Sequence, residues 1–190
     1  MRKYFITGIS GFLGRNLVLS IKKRGDYHIY GLALKGDPAF KLYEDDPDVT
    51  LIEGDILDPS SLDRFLIEAD RNSYFIHSAG RVSVLGKNDP LTTRINYDGT
   101  ISVVEALKKR GIHRLLFVSS VDALSIEEGK ETIEPTSFDP DIGMGVYGKS
   151  KAKAGNYVLE QCKNNGLPAI IVCPSAILGP EDPFSAPMND

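Results

Sequence analysis

Thr7-Gly8-Ile9-Ser10-Gly11-Phe12-Leu13-Gly14 decides the fold. An apolar run at residues 3–7 precedes it and reads as a strand. Phe12, Leu13, Leu17, Val18 and Ile21 follow at helical spacing, giving a helix over residues 11–24 that Gly25 closes. Glycines between a strand and a helix let the backbone turn tightly and approach a pyrophosphate. The helix N-terminus adds amide donors and a favourable dipole. The spacing is Gly-x-x-Gly-x-x-Gly, distinct from the commoner Gly-x-Gly-x-x-Gly dinucleotide fingerprint.

The same alternation continues outward. Short apolar runs at residues 28–34, 49–52, 74–77, 115–119 and 169–173 read as five more strands. Residues 59–69, 90–110 and 147–165 carry helical periodicity. Strands alternating with helices imply a parallel sheet covered on both faces. Right-handed crossovers make it an α/β, doubly wound sheet with three αβα layers, the Rossmann architecture. Two polar loops stand apart, residues 35–48 and 127–145, long enough to suggest function or mobility beyond simple connection.

Composition narrows the classes. The 190 residues suit one domain, are 42% hydrophobic and 25% charged, and carry a net charge of −4 with both signs interspersed. No basic stripe points to nucleic acid, and the apolar runs are strand-sized, short of a membrane span. The N-terminus reads as a first strand and not as a signal peptide. Cys162 and Cys173 have neither metal nor disulfide-framework spacing, so a reduced cytoplasmic protein is expected.

The chemistry-bearing residues fall at strand ends. Tyr147 and Lys151 stand four apart, on one helical face. A tyrosine is a poor acid or base at neutral pH, and a neighbouring ammonium favours its phenolate. Alone such a pair arises by chance. Ser120 ends the fifth strand, where a hydroxyl can hold a substrate oxygen beside the phenol; Ser119 reads as a strand-end cap. Asp55 and Ile56 follow the third strand, placed to meet an adenine, although Asp55 also suits a plain turn. Ser78, Ala79 and Gly80 are small enough for a ribose and phosphate to lie against backbone. His77 reads as a packed structural histidine.

These pieces, in this order, resemble the extended branch of the short-chain dehydrogenase/reductase superfamily, the NAD-dependent epimerase/dehydratase type. The stretches at residues 77–83, 118–124 and 174–180 are most similar to dihydroflavonol-4-reductase-like enzymes. The resemblance implies that Ser120 orients the reacting oxygen, Tyr147 is the general acid/base, and Lys151 lowers the Tyr147 pKa and binds the nicotinamide ribose. It places Gly8, Gly11, Phe12, Leu13, Gly14 and Asn96 near the cofactor, with Pro174 and Ser175 beside the nicotinamide, and requires no metal. Ser120-Val121-Asp122 lacks the first carboxylate of the sugar-dehydratase pattern, which argues against a dehydratase. Asp122 is left as a substrate contact or a solvated loop residue. No acid ends the second strand, where Lys35 offers a partner for a 2′-phosphate, so NADP is favoured modestly over NAD.

The expected activity is NAD(P)-dependent reduction of a carbonyl or oxidation of a secondary alcohol. Nucleotide-sugar epimerisation uses the same residues, and a non-catalytic dinucleotide-binding regulator is the alternative from another class. Family members run longer. Residues 1–180 are expected to form the dinucleotide-binding domain and residues 181–190 to begin a truncated substrate-binding region. A fragment without its substrate domain would bind cofactor, turn over slowly and expose an apolar patch. A homodimer through the helices at residues 90–110 and 147–165 is the expected assembly.

Overall fold

A computed structural model describes residues 1–83, 89–124, 137–141 and 143–179. Six strands form one sheet: β1 (Arg2–Thr7), β2 (Tyr27–Ala33), β3 (Val49–Glu53), β4 (Tyr74–His77), β5 (Arg114–Val118) and β6 (Ala169–Val172). Every pairing is parallel, in the order β3-β2-β1-β4-β5-β6. The order reverses between β1 and β4. Two neighbouring connections leave the carboxyl edge there in opposite directions and open a crevice.

Helices α1 (Phe12–Lys22) and α2 (Ala39–Leu42) cover one face of the sheet; α3 (Pro59–Phe65), α5 (Gly99–Arg110) and α6 (Gly145–Asn165) cover the other. The second face holds the larger core, with Phe5, Phe65, Phe75 and Phe117 fully buried, and Phe65 packed edge-on against both Phe5 and Phe75. Among the described residues the α1 face is covered only in part. Tyr4, Leu17, Tyr74, Leu116 and Ile170 line an open groove there, and Ile170 and Val172 on edge strand β6 remain exposed.

Three elements differ from the sequence reading. The loop at 35–48 contains the single turn of α2, too short to leave a periodic signal. The helix expected over residues 59–69 stops at Phe65. The rod expected over residues 90–110 is α4 (Pro90–Thr93), a π-helical turn (Arg94–Asp98) and α5 in succession. Beside the π turn, the Thr100 hydroxyl donates to the Asn96 carbonyl, 2.6 Å away. Among the described residues no helix is long and apolar enough to cross a membrane. The tail at 181–190 and most of the loop at 127–145 lie outside the described residues.

Candidate active site

The crevice at the sheet reversal is a cleft of about 480 Å³. Its walls include Thr7, Gly8, Ser10 and Gly11 after β1, Leu34 and Asp37 after β2, Asp55 and Ile56 after β3, and Ser78, Ala79, Gly80 and Arg81 after β4. The glycine loop is shaped by two close approaches. Gly8 has φ +75, and a Cβ there would lie 2.8 Å from the Ala79 nitrogen. A Cβ on Gly14 would lie 2.1 Å from the Gly8 carbonyl, so the first turn of α1 rests directly on the loop. Phe12 and Leu13 open that helix without lining the cleft. The Phe12 ring reaches instead to Gly179, beyond β6.

A buried polar row fastens β1 to β4 under this loop. His77 shares hydrogen bonds with the Thr7 hydroxyl (2.7 Å) and the Thr100 hydroxyl (3.1 Å). Burial, with Lys151 nearby, pulls the imidazole pKa down to about 3, so the ring is neutral. It has the structural role expected of it. Ser78 donates to the Thr7 carbonyl at 2.7 Å, fixing the strand end that faces the cleft.

Asn96 does not line the cleft. Its Oδ1 accepts from the Arg81 amide (2.8 Å), and its Nδ2 donates to the Arg81 carbonyl (3.0 Å) and to Ser150 Oγ (2.9 Å). Ser150 in turn donates to the Tyr147 carbonyl at 2.7 Å. Asn96 therefore positions the wall at Gly80 and Arg81 and ties it to the helix that carries Tyr147. Asn96 lies in the π turn, and its clamp joins residues 15 and 54 positions away.

Ser120 and Tyr147 meet at the carboxyl end of β5. Ser120 caps the 3₁₀ turn Val121–Ala123, accepting from the Asp122 amide at 3.2 Å. Val121 donates to the Pro174 carbonyl at 3.1 Å, which brings Pro174 and Ser175 alongside. The Met144 amide donates to the Asp122 carbonyl at 3.0 Å, docking the start of α6 on the same turn. Burial raises the Tyr147 phenol pKa; the Ser120 hydroxyl offsets part of that rise and Asp122 adds to it.

Lys151 directs its ammonium to the end of β5. Its ammonium, 4% exposed, donates to the Val118 carbonyl at 2.7 Å and sits 5.1 Å from the Phe117 ring centroid. Burial brings its pKa down to about 8. A Cβ on Gly80 would lie 3.4 Å from Lys151 Nζ, so the lysine stands directly behind the cleft wall.

After β2, Lys35 and Asp37 differ in where they stand. Lys35 is exposed and outside the cleft lining, while Asp37 lines it. Asp37 Oδ2 accepts from the Ser10 hydroxyl at 2.9 Å and Oδ1 from the Ala39 amide at 2.8 Å. An acid stands in the cleft wall here although none ends the strand, because a turn brings Asp37 back. The Asp37-Pro38 pair opening α2 was the available signal. Asp55 has a double role, lining the cleft while accepting from the Leu57 amide at 2.9 Å. Among the described residues no group of three or more His, Cys, Asp or Glu side chains could hold a metal.

The shape fits a dinucleotide: a glycine loop at a helix N-terminus, an acid beyond the third strand, and small residues after the fourth. Comparison with known proteins agrees. The chain is 27% identical over 184 residues to the decarboxylating sterol-4-alpha-carboxylate 3-dehydrogenase of Saccharomyces cerevisiae, spanning 93% of this chain and 51% of that protein. It is 27% identical over 187 residues to UDP-glucose 4-epimerase of Vibrio cholerae, spanning 94% and 53%. The NAD complex of a Bacillus anthracis dTDP-glucose 4,6-dehydratase superposes with a TM-score of 0.77 at 24% identity over 95% of this chain and 56% of that one, a likeness of fold. The chain thus spans about half the length of the curated relatives it matches. The family model for the NAD dependent epimerase/dehydratase family matches residues 4–189, and the chain belongs to that family.

Proposed function

We propose that this chain carries the dinucleotide cleft and proton-transfer residues of an oxidoreductase that interconverts a carbonyl and a secondary alcohol. A bound nicotinamide dinucleotide supplies or accepts the hydride. Tyr147 gives the proton to the substrate oxygen in reduction and takes it in oxidation. The Ser120 hydroxyl holds that oxygen beside the phenol. Lys151 stands where it can bind a ribose hydroxyl through the gap left by Gly80, and an ammonium drawn toward the phenol favours phenolate.

The observation that carries this reading is the convergence of Ser120 and Tyr147 at the end of β5, with Lys151 behind the cleft wall. Similarity to both a dehydrogenase and an epimerase supports the general chemistry. The epimerase relative also favours a second reading, in which the hydride returns to the other face of a transient ketone. The two separate in one assay that follows nicotinamide absorbance with aldehydes, ketones and sugar nucleotides. Net oxidation of the reduced cofactor supports the oxidoreductase. Sugar-nucleotide interconversion without net consumption supports the epimerase. Dinucleotide binding with neither, in a full-length version that carries the substrate-binding region, would point to a regulator and overturn both. We also propose a homodimer paired through the outer faces of α5 and α6, tested by sedimentation; a monomer at all concentrations would exclude it.

A further inference from the structure

Building on the dinucleotide reading of the cleft, we propose that Arg81 grips the dinucleotide pyrophosphate from the wall after β4, beside the glycine loop. Among the described residues that line the cleft, Arg81 is the only cationic one. The two acids in the lining, Asp37 and Asp55, add negative charge to a place that would hold a dianion. Backbone amides and the α1 dipole offset part of that charge. A guanidinium supplies the full unit of positive charge that the glycine loop lacks.

The placement is built outward from the backbone. A Cβ on Gly8 would lie 2.8 Å from the Ala79 nitrogen, so the glycine loop rests on the segment that reaches Arg81 two residues later. Asn96 pins Arg81 twice, accepting from its amide at 2.8 Å and donating to its carbonyl at 3.0 Å. The side chain is steadied by Asp89, which is not part of the cleft lining and whose Oδ2 stands 3.5 Å from the guanidinium Nε. Asp89 is itself tied down, accepting from the Thr92 amide at 3.2 Å and the Thr92 hydroxyl at 2.9 Å. Hydrogen bonds, from the Thr92 hydroxyl first and Ser83 second, bring its carboxyl pKa down to about 2, so Asp89 keeps its charge. A contact through Nε engages one of the five N–H donors of a guanidinium. The remaining donors form a planar fork that matches two phosphate oxygens, and the side chain is 48% exposed. Asp89 therefore orients the fork without using it up.

The test is equilibrium binding of NADH, ADP and adenosine, with NADH read from nicotinamide fluorescence and the other two by competition against it. Arg81→Gln should weaken NADH and ADP by about 10- to 100-fold while leaving adenosine within about twofold. Raising the salt concentration should weaken NADH binding to the unaltered chain more than to Arg81→Gln. Arg81→Lys, a charge without the fork, should recover part of the loss. Unchanged NADH and ADP binding by folded Arg81→Gln overturns the assignment. An equal loss for adenosine overturns it too, because it marks a contact to the base or a role in shaping the wall. Should Arg81→Gln misfold, arginine-directed modification of the unaltered chain by phenylglyoxal decides the matter. NADH and ADP should shield Arg81, read by peptide mass spectrometry, and adenosine should not. Modification of Arg81 at one rate with and without NADH, or equal shielding by adenosine, overturns the proposal. Failure of the unaltered chain to bind NADH, ADP and adenosine alike overturns the underlying reading of the cleft instead.

Discussion

Around the glycine loop the close approaches are between backbone atoms; at the Ser120–Tyr147–Lys151 corner side chains make the contacts. The glycine loop rests on Ala79 on one side and on the first turn of α1 on the other. Those approaches follow from topology, because β1 and β4 are neighbours. At the corner, the phenol is pushed toward its neutral form by burial, and the Lys151 ammonium donates to the Val118 carbonyl. One region is held by backbone packing, and the other by side-chain contacts to the end of β5.

The contrast can be broken most forcefully at Tyr147. Tyr147→Phe should lower turnover by about 10²- to 10⁴-fold while leaving dinucleotide binding within a factor of about two. Comparable loss of binding would mean that the two regions are not separable. Next comes Gly8→Ala, which forces a side chain into φ +75 against the Ala79 backbone. It should cost about 2–3 kcal/mol and abolish binding, seen as a lower melting temperature no longer raised by dinucleotide.

Lys151 sharpens the comparison through pH. Its folded pKa of about 8 lies below the ordinary 10.5, so between those values the unfolded chain holds the proton and the folded chain releases it. Stability therefore rises with pH across that window. Below pH 8 the buried ammonium costs on the order of 3 kcal/mol. Lys151→Met should raise the melting temperature at pH 7 and flatten its rise between pH 8 and 10.5. A substitution that destabilises at pH 7 would show that the Val118 and Phe117 contacts outweigh burial. The smallest effect is expected at Lys35, where exposure predicts that Lys35→Ala changes dinucleotide affinity and stability by no more than about 0.5 kcal/mol.

The sequence was legible wherever one residue and its near neighbours decide the outcome. All six strands and the glycine loop fall where apolar runs and turn residues place them, with ends shifted by a residue or two. Tyr147, Ser120 and Asp55 sit at strand ends or on the following helix, as their order implied. What escaped depends on distant contacts. The Asn96 clamp needs Arg81 and Ser150, and Thr100 is shared between the Asn96 carbonyl and His77. The Phe138 backbone is held by both ends of the Asn156 amide, an anchorage between residues 18 apart that no local pattern announces. Lys151 was read from its spacing to Tyr147, but the orientation of its ammonium is set by the carbonyl at Val118.

The imidazole of His77 has a consequence for how the molecule comes apart. It joins Thr7 on β1 and Thr100 on α5 from its own place on β4. Separating any one of the three elements strands a ring nitrogen or hydroxyl in an apolar interior. Fraying by single elements is therefore costly, and the three should open as one cooperative unit. Native-state hydrogen exchange would then report a shared opening free energy for amides in β1, β4 and α5. His77→Phe would divide that unit into independently exchanging pieces.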